Sequence, residues 1–190
     1  MDGGRTSMNV SEIGIAGAFV IEGSTFQDNR GAFSRLFCAR ELQVILGSRT
    51  IAQINQSMTH SVGAVRGLHY QNAPRAEMKI VRCLKGRVFD VAVDLRQGSP
   101  TFLKWHAVEL TPQSNLAYVI PEGCAHGFQV LEEDSQLLYL HTEFYTPEVE
   151  GAMRFDDPMV AVDWPLSPTD LSARDLSHQP LKENFKGIIL

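Results

Sequence analysis

The feature that most constrains the fold is a succession of short segments with β-type patterning, each bounded by turn-forming residues. In the clearest of them, residues 88–96, larger apolar side chains alternate with charged or small ones, which is the period of a strand. Residues 78–84 and the Lys85-Gly86 turn predict the other half of a hairpin with it. Further predicted strands cover residues 18–21, 51–57, 65–71, 104–110, 116–120, 127–131 and 136–142.

Only two stretches have helical character. Residues 40–46 predict a short helix closed by Gly47, and residues 168–176 predict turns or a frayed helix near the C-terminus. Many short strands with few helices are typical of an antiparallel sandwich or barrel, whose interior can hold one small ligand. The 190 residues suit one domain spanning residues 1–190.

Charge and composition narrow the function classes. The formal net charge is -5 and no basic cluster stands out, so we expect no nucleic-acid partner, although a few arginines could still bind a small anion. No apolar run approaches the ~20 residues of a membrane span, and the N-terminus lacks a signal-peptide pattern. Three cysteines without a CxxC pair favour reduced thiols. We therefore expect a cytoplasmic protein without membrane contact.

One motif narrows the fold class further. Residues 121–126 read Pro-Glu-Gly-Cys-Ala-His and fit Pro-x-Gly-x-x-His, the second sequence motif of the cupin barrel. The first cupin motif lies about fifty residues upstream and contains His-x-His followed by a glutamate. The corresponding positions here are His69, Gln71 and Lys79. The fold expected is a mainly β, jelly-roll antiparallel barrel.

The same positions argue against a metal. A metal cupin holds its divalent ion with imidazole and carboxylate ligands. Lys79 places a positive charge where the carboxylate would bind, and Gln71 replaces one imidazole. Only His69 and His126 are left as plausible ligands, so we predict no metal. A metal cupin, such as a dioxygenase or isomerase, is the rival class.

Lys79 is predicted to point into the barrel. Strict alternation places it in phase with Val81 and Cys83, on the side opposite Arg82, which looks exposed. An inward lysine needs a partner or a shifted pKa. Either it extends to the barrel mouth, or it stabilises negative charge that develops on a substrate, such as an enolate.

His69 on its own could be a core histidine, a metal ligand or a base. Gly67, polar neighbours and Lys79 are expected on the same hairpin, which favours a functional site. Strict alternation would send Arg66 and His69 to opposite faces of their strand. Either the strand has a bulge near Gly67, or Arg66 serves a different surface.

From about residue 19 to residue 181 the chain resembles the dTDP-4-dehydrorhamnose 3,5-epimerases, which are cupin-type sugar-nucleotide epimerases. The resemblance rests on many short segments that occur in the same order. They are residues 28–33 (DNRGAF), 53–57 (QINQS), 66–71 (RGLHYQ), 79–83 (KIVRC), 86–94 (GRVFDVAVD), 99–102 (SPTF), 120–128 (IPEGCAHGF), Tyr139 with residues 145–147, and 171–175 (LSARD).

The resemblance implies a cofactor-free isomerase that inverts C3, C5 or both in a nucleotide-linked 4-keto-6-deoxyhexose. The C4 ketone acidifies the protons on both carbons, so a base can remove one and leave an enolate. By resemblance, His69 is the base and Asp175 orients its imidazole. Tyr139 is the acid that returns a proton, and Lys79 stabilises the enolate oxygen.

The resemblance also implies a set of substrate-binding residues. It assigns Arg66 and Arg30 to the diphosphate and nucleotide, where the arginine fork matches phosphate geometry. The other residues expected to bind substrate are Phe33, Gln53, Asn55, Gln71, His126 and Tyr145. Family members form homodimers in which N-terminal strands cross over, so one site can draw on both chains.

Several positions depart from the family pattern, mostly on the nucleotide side. Arg35 stands where a glutamate is usual, Ala32 replaces a common aromatic, and Ala117 replaces a common glutamine. The usual lysine after Tyr139 is also missing. The expected reaction is dTDP-4-dehydro-6-deoxyglucose to dTDP-4-dehydrorhamnose. CDP- or GDP-linked substrates and inversion at one carbon remain open, as does a non-catalytic sugar-nucleotide binding cupin.

Overall fold

A computed structural model describes residues 7–190, which form two facing antiparallel sheets and a separate two-stranded hairpin. The strands are β1 (Met8–Glu12), β2 (Phe19–Gly23), β3 (Thr25–Asp28), β4 (Gly31–Ser34), β5 (Gln53–Thr59), β6 (Val65–Gln71), β7 (Lys79–Lys85), β8 (Val88–Asp94), β9 (Trp105–Leu110), β10 (Leu116–Ile120), β11 (Cys124–Val130), β12 (Ser135–His141) and β13 (Glu150–Ala152). The first sheet has the order β1-β2-β10-β7-β12-β5, and the second has the order β13-β6-β11-β8-β9. Strands β3 and β4 form the hairpin.

The two helices are short. Helix α1 covers Gln43–Leu46 and helix α2 covers Ala173–Ser177, close to the two stretches predicted from sequence. Gly47 ends α1 with a φ of +59°, a conformation that glycine adopts without a Cβ clash. Within residues 7–190, no helix is long and apolar enough to cross a bilayer.

The main core fills the space between the sheets. Val81 and Leu137 of the first sheet pack there with Val88 and Phe128 of the second. Burying these side chains is the dominant favourable contribution to holding the sheets together. These contacts hold the two sheets face to face.

The outer faces of both sheets are also covered. Leu42 and Ile45 pack over the first sheet, and Trp164 and Phe185 from the C-terminal region pack over the second. Central strands such as β8 are therefore buried on both faces, which blurs the apolar-polar alternation of an exposed sheet. In β8 the larger apolar side chains face the C-terminal cover, and Asp90 faces the inter-sheet space.

The predicted mainly β, antiparallel cupin-type architecture is confirmed. The predicted hairpin between residues 78–84 and 88–96 is wrong. Strand β7 pairs with β10 and β12 in the first sheet, whereas β8 pairs with β9 and β11 in the second. The turn at Gly86, with a φ of +79°, therefore carries the chain from one sheet to the other. Turn residues and strand alternation are the same in both arrangements, so the sequence could not separate them.

The expectation that Arg82 is exposed is also wrong. Its side chain is almost fully buried on the outer face of the first sheet, at 2% exposure. The guanidinium donates to the Leu36 and Asn115 carbonyl oxygens, which replace the water it loses. Burial lowers the pKa of Arg82 to about 10. Alternation placed Arg82 opposite Lys79 correctly, but residues 36–46 cover that face.

A bulge in β6 resolves the orientation of Arg66 and His69. His69 pairs with His126 and Arg66 pairs with Phe128, so two residues of β6 oppose the single residue Gly127. Gly67, inside the bulge, has a φ of +127°. A Cβ there would lie 2.5 Å from the Gly127 Cα, so the close approach of the two strands requires glycine.

Candidate active site

A cavity of about 260 Å³ opens between the two sheets. The first sheet contributes side chains from β5, β7 and β12, and the second contributes side chains from β6 and β11. The lining residues are Asn55, Gln56, Ser57, Arg66, His69, Lys79, His126, Phe128, Tyr139 and His141. These five strands place six of the twelve predicted site residues around one space: Asn55, Arg66, His69, Lys79, His126 and Tyr139.

His69 is held from behind by Asp175. Its Nε2 lies 2.7 Å from the Asp175 Oδ1, and the carboxyl is buried while the imidazole is partly exposed to the cavity. Burial raises the pKa of Asp175, but the hydrogen bond and charge of His69 outweigh it and hold that pKa below its usual range. An ionised Asp175 accepts a hydrogen bond from the Nε2–H of His69, which leaves the lone pair on Nδ1.

Helix α2 delivers Asp175 to this position. Ser172 is the N-cap residue of α2, and its hydroxyl accepts a hydrogen bond from the Asp175 backbone amide at 3.0 Å. The carboxyl sits in the first turn, where the helix dipole favours negative charge. The two elements that build the pair are thus a central strand and a capped C-terminal helix.

Lys79 is held at the first residue of β7 by a buried carboxylate. Its Nζ lies 3.1 Å from the Glu77 Oε1 and 3.4 Å from the His69 carbonyl oxygen. Glu77 also contacts the Nδ1 of His141 at 2.8 Å through its other oxygen. Burial raises the pKa of Glu77, but His141 and Lys79 outweigh it and lower that pKa overall. The ammonium group is therefore a fixed cation on the cavity wall.

Tyr139 faces the cavity from β12 in the first sheet. Its hydroxyl lies 2.8 Å from the Ser57 hydroxyl, and its ring stacks on His141 with centroids 6.0 Å apart. Burial raises the pKa of Tyr139, so the phenol stays protonated at neutral pH. The ring also meets His126 of the opposite sheet, with centroids 6.1 Å apart.

A repeated arrangement shapes the electrostatics of the cavity. His69, His126 and His141 are each hydrogen-bonded to a carboxylate that lies behind the wall; the carboxylates are Asp175, Asp90 and Glu77. Burial raises the pKa of Asp90, the carboxyl behind His126. Among the described residues, the lining itself contains two cations, Arg66 and Lys79, and no carboxylate. The cavity is therefore suited to an anionic ligand.

Three predicted substrate-binding residues lie outside the cavity lining and hold the loop after β12. Gln71 donates to the Arg75 and Phe144 carbonyl oxygens and accepts from the Thr146 amide at 2.6 Å. Gln53 accepts from the Tyr145 amide, and the Tyr145 hydroxyl donates to Glu150. In this structure, Gln71 and Gln53 position the segment that carries Tyr145.

Arg30 and Phe33 lie on the β3–β4 hairpin, away from the cavity of the same chain. Arg30 pairs with Asp28 on the hairpin turn, and Phe33 is 66% exposed opposite Phe26. The structure thus does not bring these two residues to the cavity. Of the family departures, Ala32 lies on the same hairpin, Arg35 pairs with Glu41, and Ala117 is buried on the outer face of the first sheet.

Several groups at the site were not predicted from sequence, among them Glu77, Asp90, His141 and Ser57, each of which bonds a predicted residue or lines the cavity. Three of these four had a signal. His141 lies two residues beyond Tyr139 on β12, Ser57 lies two residues beyond Asn55 on β5, and Asp90 is a charge in a mainly apolar strand. Glu77 had none, because it precedes the predicted strand 78–84 and its partner His141 is distant in sequence.

The model of one protein family matches residues 12–183, and its description is dTDP-4-dehydrorhamnose 3,5-epimerase. The chain belongs to this family. A relative from Sinorhizobium fredii, itself named dTDP-4-dehydrorhamnose 3,5-epimerase, is 37% identical over 173 residues, 91% of this chain and 89% of its own length. The predictions of an epimerase of this family, and hence an isomerase, are confirmed.

Two similar solved structures contain dTDP-linked sugars. The dTDP-6-deoxy-D-glucose-3,5-epimerase of Legionella pneumophila, in complex with dTDP-4-keto-L-rhamnose, is 36% identical with a TM-score of 0.88; the match covers 96% of this chain and 99% of that one. ChmJ from Streptomyces bikiniensis, a 3'-monoepimerase in complex with dTDP-quinovose, is 32% identical with a TM-score of 0.82, covering 88% and 85%. Both relatives bind dTDP-linked sugars.

Proposed function

We propose that this chain inverts C3 and C5 of dTDP-4-dehydro-6-deoxyglucose and forms dTDP-4-dehydrorhamnose. The observation that carries the proposal is the His69–Asp175 pair on one wall of a cavity that also presents Tyr139 and Lys79. A base, an acid and a fixed cation around one space are what enolate chemistry next to a ketone requires. The dTDP-sugar complexes of the relatives support the choice of substrate.

In the proposed mechanism, His69 removes the proton next to the C4 ketone. Asp175 accepts a hydrogen bond from the Nε2–H group, so Nδ1 carries the lone pair that takes the substrate proton. As the imidazole becomes charged, the buried carboxylate stabilises it, since the two groups lie at hydrogen-bond distance. The negative charge that develops on the ketone oxygen is stabilised by the Lys79 ammonium, which Glu77 holds in place.

Tyr139 completes inversion by donating a proton to the opposite face of the enolate. Tyr139 stands on the first sheet and His69 on the second, so the two can act on opposite faces of a sugar between them. The raised pKa keeps the phenol protonated until it is needed. Ser57 hydrogen-bonds the phenol oxygen and stabilises the phenolate that is left.

The proposed diphosphate contacts involve Arg66, which lines the cavity beside Asn55 and His126. The Arg66 guanidinium donates to the Thr59 hydroxyl at 3.3 Å, leaving other N–H groups of the fork for phosphate oxygens. Phosphate charge then balances the two cations of the lining.

Arg30 and Phe33 require a homodimer in this proposal. They lie on a hairpin whose residues are nearly all exposed, so they would reach the site of a partner chain. The edge position of β1 in the first sheet supports exchange of the N-terminal segment, of which residues 1–6 lie outside the described residues.

The proposal also includes a single domain of residues 1–190 and a cytoplasmic location. The three free cysteines support the cytoplasmic location.

The test is position-resolved solvent deuterium uptake with a panel of dTDP-, CDP- and GDP-linked 4-keto-6-deoxy sugars. The proposal predicts exchange at both C3 and C5 for the dTDP sugar, with product of inverted configuration. Exchange at C3 alone would assign a monoepimerase like ChmJ. Preference for another nucleotide would reject the dTDP assignment, and binding without exchange at either carbon would reject the enzyme in favour of a binding module.

A further inference from the structure

A third ligand-bearing side chain lies beside the proposed base and its partner. His178 follows α2 directly, and its ring meets the His69 ring edge to face, with centroids 6.3 Å apart. One ligand atom from each of His69, Asp175 and His178 lies within 4.8 Å of the other two. Within residues 7–190, this is the one group of three histidine, cysteine or acidic side chains whose ligand atoms lie close enough together to hold a metal ion.

An unpartnered ring nitrogen of His178 distinguishes this group from a chance cluster. Its Nε2 is buried and has no hydrogen-bond partner within residues 7–190. A buried polar atom without a partner costs free energy, which a ligand on that nitrogen would recover. The epimerase mechanism proposed above uses His69 and Asp175 but has no role for His178.

We propose that His69, Asp175 and His178 form a binding site for a divalent transition metal of the zinc class, and that its occupation switches the enzyme off. Two imidazoles and one carboxylate are a ligand set that suits zinc, with a water from the cavity as the fourth ligand. Zinc takes the place of the Nε2 proton that His69 donates to Asp175, and the imidazole stays neutral by carrying its one proton on Nδ1 instead.

This site differs from the metal centre of metal cupins. At the cupin positions, Lys79 carries a positive charge, Gln71 is bound to backbone groups outside the cavity, and His126 is engaged by Asp90. The new site uses the C-terminal helix instead, so it is compatible with a reaction that needs no metal. Its three ligands do not include Lys79 or Tyr139.

Inhibition follows from the protonation of a metal-bound imidazole. When one ring nitrogen of neutral histidine binds a metal, the other nitrogen carries the proton. No lone pair is left on His69 to remove a proton from the sugar. This consequence rests on the proposed role of His69, whereas the binding itself depends only on the three side chains.

The test is calorimetric titration of the metal-free protein with zinc chloride, together with epimerase assays at the same zinc concentrations. The wild-type chain should bind one zinc per chain and lose activity in parallel, and EDTA should restore it. His178→Gln should weaken zinc binding by at least about tenfold while retaining turnover without zinc. His178→Cys, which supplies another zinc ligand, should restore binding. His60→Gln, at an exposed histidine paired with Asp134, is the matched control and should bind like wild type.

Each outcome bears on one claim. No zinc binding by the wild-type chain, or equal binding by His178→Gln and wild type, would overturn the site. Binding at the site with full activity would overturn both the switch and the proposed role of His69 as base, while leaving the metal site intact. Activation by zinc would reject both the switch and the metal-free mechanism.

Discussion

The imidazole of His69 and the carboxyl of Asp175 meet at 2.7 Å, although 106 positions separate them along the chain. The carboxyl is buried beneath the ring and the ring opens onto the cavity. This relationship determines which nitrogen of His69 carries the lone pair. It also ties the proposed base to a helix that is anchored by its own N-cap at Ser172.

Asp175→Asn should lower turnover by roughly 10²–10⁴-fold, the usual contribution of general base catalysis. The amide keeps the shape of the carboxyl but cannot stabilise a charged imidazole or enforce one tautomer. Steady-state kinetics with the dTDP sugar measures the change. We expect kcat to decrease strongly and KM to change little. Asp170→Asn, at a more exposed carboxyl bonded to Ser61, is the matched control. Wild-type turnover in Asp175→Asn would remove Asp175 from the mechanism.

Tyr139→Phe should separate proton removal from inversion. The base and cation remain, so deuterium should still enter the substrate, but product of inverted configuration should fall by at least about 100-fold. Mass spectrometry and NMR of the recovered sugar distinguish the two results. Tyr70→Phe, in the cluster on the other face of the second sheet, should leave both quantities near wild type. Normal yield of inverted product from Tyr139→Phe would assign the acid to another group.

Glu77→Gln should make stability less dependent on pH. The folded state lowers the pKa of Glu77, so its contribution is fully present above the unfolded value of 4.5 and is lost as pH falls through the folded value. We expect the free energy of unfolding of the variant to be about 1–3 kcal/mol lower than that of wild type at pH 7, because Lys79 and His141 lose a charged partner. Urea unfolding at several pH values should show the gap closing below pH 4.5. A gap that is independent of pH would contradict this account.

Gly67→Ala should destabilise the fold by about 3 kcal/mol, because the new Cβ adds a backbone clash to an unfavourable φ. Gly98→Ala separates these effects: Gly98 has a φ of +77°, and a Cβ there would meet nothing within 4 Å. It should cost about 1 kcal/mol. Chemical denaturation measures both, and equal losses would mean that the close approach of β6 and β11 contributes nothing.

The sequence predicted the architecture well because local patterns determine it. Alternation and turn residues placed most strands to within a few residues, and they placed Lys79 and Arg82 on opposite faces. They failed where partners are distant in sequence. The turn at Gly86 connects two sheets rather than two neighbouring strands, and the burial of Arg82 depends on residues 36–46.

The same holds for the candidate site: residues marked by local sequence were predicted, and residues that matter through distant contacts were not. Motifs and family resemblance pointed to residues on β6, β7 and β12, because each is marked by its own segment. The bulge that turns Arg66 and His69 to one face was one of two alternatives, since alternation alone cannot count an extra residue in a strand. Glu77 and His178 were missed because their importance arises only from contacts made in the folded chain.

The central claim is that His69 removes the proton of the sugar. Its most direct test is the rate of deuterium incorporation from D₂O at C3 and C5 of dTDP-4-dehydro-6-deoxyglucose, compared between wild type and His69→Ala. His60→Ala, at an exposed histidine, controls for loss of an imidazole elsewhere. The account predicts a loss of at least about 100-fold at both carbons for His69→Ala, and none for the control. Incorporation at the wild-type rate by a folded His69→Ala chain would show that another group is the base.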